Sequence, residues 1–299
     1  MRTLKRFTKL GTLLCGLLLS LGSAQAMDIS GTISSTLTIF DDSQLVGNVA
    51  CTVVHTPCIK FGADHIKLRL NGFSMTGLAD PTTGCGPLSP DAFFGEDGIG
   101  TAGHSDLQIL GPGLVQNFRS VGVIVQNGSS KVTVRHVITS TNCICGILLT
   151  SGASNNDVED NVALRIGNYA SGCGGINAVT DNNRVRRNVV SGNGYALEKP
   201  GNFGISVNGI GNLIEENVLV GNTNGIRLNP AAHSNVVRRN VITGNPPIQV
   251  SLSFPASGGV DILDLSPGTV NRNTFDDNLC LTSNVSGLCP NLPARGDES

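Results

Sequence analysis

The sequence predicts an all-β parallel solenoid, and three observations carry that expectation. Of 299 residues, 38 are Gly and 29 are Asn, while 14% are charged, 4% aromatic and none is Trp. Helix interiors disfavour Gly and Asn, which excludes a helical bundle or coiled coil. A mean hydropathy of +0.10, with abundant Val, Ile and Leu, excludes a disordered chain.

The second observation is an internal repeat: an aliphatic residue, two polar residues, Asn, and Asn again five residues later. Its clearest copies are Val185-Arg186-Arg187-Asn188 with Asn193, Ile214-Glu215-Glu216-Asn217 with Asn222, Val237-Arg238-Arg239-Asn240 with Asn245, and Val270-Asn271-Arg272-Asn273 with Asn278. Weaker copies start at Val134 and Val158, the latter with its second Asn displaced to Asn168. The third observation is a Gly followed by an aliphatic strand between the copies: Gly122-Val123, Gly146-Ile147, Gly175-Ile176, Gly204-Ile205 and Gly225-Ile226. Short β-branched strands at a period of roughly 20 to 30 residues, separated by Gly and Asn corners, predict coils that stack on one another. Asn suits such corners because it tolerates left-handed backbone and its amide can bond the amide of the next coil.

The charges beside the Asn columns alternate in sign at every step but the last: Arg135-His136, Glu159-Asp160, Arg186-Arg187, Glu215-Glu216, Arg238-Arg239, then Asn271-Arg272. Stacked in this order, each acidic pair lies between basic pairs, and a slip by one coil sets like charges together. The alternation is therefore read as a register device, not as an anion-binding surface.

Residues 1–26 read as a secretory leader. Arg2, Lys5, Arg6 and Lys9 form its basic start, Leu10 to Leu21 its apolar centre and Ala24-Gln25-Ala26 its cleavage site. The apolar stretch is too short to span a bilayer, and no later run qualifies as an anchor. Without these four of the 20 basic residues, 16 remain against 22 acidic ones, a net charge of −6, which argues against a nucleic-acid partner. Eight cysteines remain: Cys51, Cys58, Cys85, Cys143, Cys145, Cys173, Cys280 and Cys289. In an exported chain an even count favours disulfides over a metal site. Cys51 with Cys58 and Cys280 with Cys289 are read as local staples near the two ends; the pairing of the other four stays open.

The strand and turn Ile66-Lys67-Leu68-Arg69-Leu70-Asn71-Gly72, the strand ending Thr76-Gly77, and the later Asp106-Leu107-Gln108-Ile109-Leu110-Gly111 resemble the opening coils of exported right-handed parallel β-helix proteins of the pectate-lyase-like superfamily. The resemblance covers roughly residues 45 to 280. It implies a single-domain right-handed parallel β-helix with cap strands over 27–50, the helix over 51–280 and a loop and tail over 281–299. It further implies a secreted, periplasmic or cell-surface protein, expected as a monomer, whose partner is a polysaccharide or cell-envelope glycan that it binds or modifies. The alternative is a non-catalytic structural or interaction protein of the envelope. No cofactor is expected, and Ca²⁺ enters only if the chain is a lyase. The hydrolase pattern of an Asn-x-Asp, an Asp pair, a Gly-His-Gly and an Arg-Ile-Lys in order is not present, so the choice between lyase, epimerase, glycoside hydrolase and no activity stays open.

Candidate residues follow from departures from the coil pattern. Gly77 to Gly98 is the longest excursion; near its end Asp97 and His104 supply an acid and a base, and Arg119 a cation for a uronate carboxylate. Tyr169 and Tyr195, the only tyrosines, follow successive Asn corners, and the excursion at Glu198 to Phe203 adds Lys199 and Phe203 beside them. With Arg165, these four residues form the expected carbohydrate-binding surface.

Overall fold

The computed structural model describes residues 26–80, 95–166, 173–193, 203–245, 247–248, 257–266 and 272–289. Two parallel sheets run the length of the stack, one of 15 strands and one of nine, and the chain alternates between them in a right-handed parallel β-helix. Among the described residues there is no helix, and so none long and apolar enough to cross a membrane. The strands are short, two to nine residues, because each coil must turn a corner before the next rung.

The core consists of columns of identical chemistry. In the first sheet Ile109, Val134, Val158, Val185, Ile214 and Val237 lie one above another, each 0% exposed. In the second sheet Ile99, Val123, Ile147, Ile176, Ile205 and Ile226 do the same. Each buried aliphatic side chain contributes roughly 1.5 to 3 kcal/mol.

The first sheet bends at a corner where His136, Asp160, Arg187, Glu216, Arg239 and Asp277 all adopt positive φ, between 50° and 56°. This left-handed residue turns the next one inward, Val137 after His136 and an Asn after each of the other five. Asn188 Nδ2 donates to Asn217 Oδ1 at 3.0 Å, Asn217 Nδ2 to Asn240 Oδ1 at 2.9 Å, and Asn240 Nδ2 to Asn278 Oδ1 at 2.9 Å. Each Oδ1 also accepts the backbone N–H of the Asn one coil earlier. Buried amides are thereby satisfied along the whole column, which a solenoid with irregular coil lengths needs to hold its register.

Two features of the repeat differ from expectation. The last copy starts at Phe275, not Val270: Val237 pairs with Phe275 and Arg238 with Asp276. Asn273 belongs to another column, formed with Asn156, Asn183, Asn212 and Asn235. The excursion after Thr243 lengthens the last coil, so the repeat spacing points to Asn273 where the column continues at Asn278. In consequence the final charged rung is Asp276-Asp277, and the sign alternation holds through every step. The second difference is at Asn168, which lies outside the described residues; Ile166 occupies the corresponding rung, with its N–H donating to Asn193 Oδ1 at 2.8 Å.

The ladder's ion pairs follow the stacking. Asp160 is bonded by Arg135 Nε at 3.1 Å from one coil and Arg187 Nε at 2.7 Å from the next, while Glu159 takes Arg186 at 2.8 Å. Arg187 in particular holds the Asp160 carboxyl below its ordinary pKa.

Disulfides join Cys51 to Cys58, Cys280 to Cys289, and Cys145 to Cys173. Cys143 is also disulfide-bonded, and Cys85 lies outside the described residues.

Candidate functional site on the second sheet

The second sheet turns one row of residues inward and the next outward. Its glycines face the core at the corner: a Cβ on Gly204 would come within 2.7 Å of Leu219 Cδ2. Counting two residues on from each glycine gives the outward column Ile124, Leu148, Asn177, Ser206 and Arg227, in register on successive strands. Adjacent members are about 4.8 Å apart. The column is therefore apolar over its first two rungs and polar over the next three.

The apolar end packs with the Cys145–Cys173 disulfide and Val121. The polar end is incompletely paired. Asn177 is 6% exposed; its Nδ2 donates to Cys173 Sγ at 3.5 Å, but its Oδ1 is buried without a hydrogen bond. Ser206 Oγ accepts from Asn229 Nδ2 at 3.1 Å. The Arg227 guanidinium lies 4.4 Å above the centroid of the Phe203 ring, a cation–π contact. Its Nε is buried and unbonded, and burial lowers the guanidinium pKa from its ordinary value. Four buried side-chain atoms among the described residues lack a partner, and two of them, Asn177 Oδ1 and Arg227 Nε, belong to this column.

A second cluster lies beside the Cys51–Cys58 disulfide, where Glu96, Asp97, Phe118 and Arg119 line one cavity. Glu96 Oε2 is 2.6 Å from Arg119 Nε, and Asp97 Oδ1 accepts the Val121 N–H at 3.1 Å. Burial pushes the Asp97 carboxyl up to about 6, against the lowering effect of its bonds to Ser120 and Val121.

The structure brings Asp97 and Arg119 to this cavity, but His104 is elsewhere. Its Nδ1 is 3.0 Å from Asp64 Oδ1, which also accepts the Ser105 N–H at 2.9 Å. The strand Ile99–Gly100 runs between Asp97 and His104. Arg165 is exposed, with a φ of 52°, at the corner after Val162–Leu164 of the first sheet. Phe203 does line the second-sheet column, but it is 3% exposed and acts through the guanidinium above it. Tyr169, Tyr195 and Lys199 lie outside the described residues. Sequence reasoning missed Asn177 and Ser206. The signal was available, since the residue after each Gly-aliphatic pair must face outward.

Residues 96–287 match the family described as periplasmic copper-binding protein (NosD). No relative was found among curated proteins. Among solved structures, ORF18 of Geobacillus virus E2 is 13% identical with a TM-score of 0.54, over 86% of this chain and 55% of that one. The chain thus spans about half the length of that protein. The A-module of a mannuronan C-5 epimerase from Azotobacter vinelandii is 13% identical, with a TM-score of 0.41 over 88% and 90% of the two chains. The tailspike of the E. coli bacteriophage HK620, in complex with a pentasaccharide, is 12% identical, with a TM-score of 0.39 over 84% and 53%. At 13% identity the likeness to the Geobacillus virus E2 protein is one of fold.

The family description names copper, and the described residues do not fit a copper centre. They contain no group of three His, Cys, Asp or Glu placed to hold a metal ion. Their cysteines are all disulfide-bonded, and the Met75 thioether is buried in the core. Among the described residues the one soft ligand left exposed is the Met27 thioether, 39% exposed, and it stands outside any such group.

Proposed function

We propose that this chain, which belongs to the NosD family, is an exported protein of the periplasm or cell surface that holds a polysaccharide on the outer face of its second sheet. Export is supported by the leader-like residues 1–26 and by the compartment in the family description. The site reading is carried by one observation, the unbonded Asn177 Oδ1 and Arg227 Nε on either side of Ser206.

Buried polar groups are nearly always paired, and each one left open costs roughly 1 to 3 kcal/mol. A ligand that donates to Asn177 and accepts from Arg227 recovers that energy. Sugar hydroxyls do both; Asn177, Ser206 and Arg227 follow one another along the stacking axis, and because Asn177 is 6% and Ser206 1% exposed, a polymer reaches them by displacing what covers the column. Phe203 holds the guanidinium in a fixed plane, so fewer rotamers are lost on binding.

Calorimetric titration of the mature protein against a panel of neutral and uronic-acid polysaccharides, with and without Ca²⁺, tests this reading and registers turnover in the same samples. Arg227→Ala and Asn177→Ala should each weaken the bound polymer about tenfold or more, equivalent to about 1.4 kcal/mol. Tyr169→Ala combined with Tyr195→Ala tests the tyrosines expected from the sequence to bind carbohydrate. If no polymer binds, or if binding is unchanged in both the Arg227 and Asn177 variants, the reading is wrong.

A further inference from the structure

Beyond the corner, the first sheet exposes a face whose composition is wrong for a solvated surface. Ile138, Val162, Val189, Val218, Val241 and Leu279 stack in register, one per coil, with their side chains outward. Val189 is 42% exposed, Val218 38%, Val241 37% and Leu279 47%. Val220, at 42%, widens the strip on its far side. The outward positions of a sheet facing water are ordinarily polar. Here six consecutive rungs are aliphatic, over a length of about 24 Å at the usual strand spacing. Contiguous apolar surface of this kind marks an interaction site.

The neighbouring charges identify the partner. The ladder along the edge of the strip has six rungs: Arg135-His136, Glu159-Asp160, Arg186-Arg187, Glu215-Glu216, Arg238-Arg239 and Asp276-Asp277. The signs run plus, minus, plus, minus, plus, minus. Reversing a series with an even number of alternating rungs inverts every sign. A second copy of the same chain, turned end for end, therefore sets acid against base at all six rungs, whereas a copy laid in parallel register sets like against like.

We propose that the aliphatic strip is the contact face of a two-fold symmetric homodimer, its axis running along the strands between the Val189 and Val218 rungs. The contact is isologous and closed, so it buries both strips without leaving an edge for further growth. It replaces the monomer expected from the sequence.

Sedimentation velocity of the mature protein over a range of concentrations tests the proposal. The native chain should sediment at twice the monomer mass. Val189→Asp combined with Val218→Asp should raise the dimer dissociation constant at least 100-fold while the circular dichroism spectrum is retained. If that pair prevents folding, Val218→Thr should give a smaller shift in the same direction. A native chain that is monomeric at all concentrations, or folded variants that dimerise as tightly as the native chain, would overturn the assignment.

Discussion

Asp97 shows how burial turns a carboxyl into a pH-dependent structural group. Its pKa of about 6 in the folded chain lies above the ordinary 3.8, chiefly because burial penalises the charge. Between these two values the native state binds the proton that the unfolded state has released. Stability contributed by this residue is therefore full below about pH 4, falls as pH rises toward 6 and is flat above. The span is about 3 kcal/mol. In thermal melts from pH 3.5 to 7.5, Asp97→Asn should lose this decline relative to the native chain, because its amide oxygen can still accept from Val121 without carrying a charge. Parallel profiles for the two proteins would show that Asp97 does not titrate in this window.

The corner ladder is the element that fixes coil register, and it is most clearly tested at its fourth rung. Glu216 bonds Arg239 Nε at 3.0 Å, and Glu215 bonds Arg238 at 3.2 Å and Arg239 as well. Replacing both acids with Arg leaves three successive basic rungs. Exposed ion pairs are worth roughly 0.2 to 1 kcal/mol each, so the lost pairs and the added repulsion together should destabilise by about 2 to 3 kcal/mol. For a chain of this length Tm should fall by roughly 4 to 5 °C, with partial recovery in high salt. Glu215→Gln with Glu216→Gln should lose less, and an unchanged Tm in the Arg variant would refute the register role.

Such ladders were legible in the sequence because stacking repeats a residue type at every rung. The Asn188, Asn217 and Asn240 column and the Gly-aliphatic strands could be read directly. Two things were not legible. The long excursion before Thr274 hid which Asn continues the column, so the last rung was misassigned to Arg272. The pairing of Cys145 with Cys173 depended on the stacking that sets the start of the strand Cys145–Leu149 beside the residues leading into Ile176–Ala178. Site residues were legible only in part. Phe203 and the neighbourhood of Asp97 and Arg119 stood out as departures from the repeat, but the significance of Asn177 and Ser206 comes from their register with Arg227. His104 looked chemical in isolation, and its bond to Asp64 across a coil is a non-local fact.

For the whole molecule, the stack sorts three kinds of surface onto separate faces. The corner carries paired charge, the face beyond it carries the aliphatic strip, and the second sheet carries the column with open hydrogen-bonding groups. A solenoid permits this separation because each coil contributes one residue to every column. The central claim is that polysaccharide lies along the second-sheet column, and hydrogen exchange with and without the polymer selected from the binding panel tests it most directly. The account predicts added protection in the segments around Asn177, Phe203–Val207 and Asn224–Leu228, with exchange along the aliphatic strip unchanged. Protection confined to the first sheet, with the second-sheet strands unaffected, would contradict it.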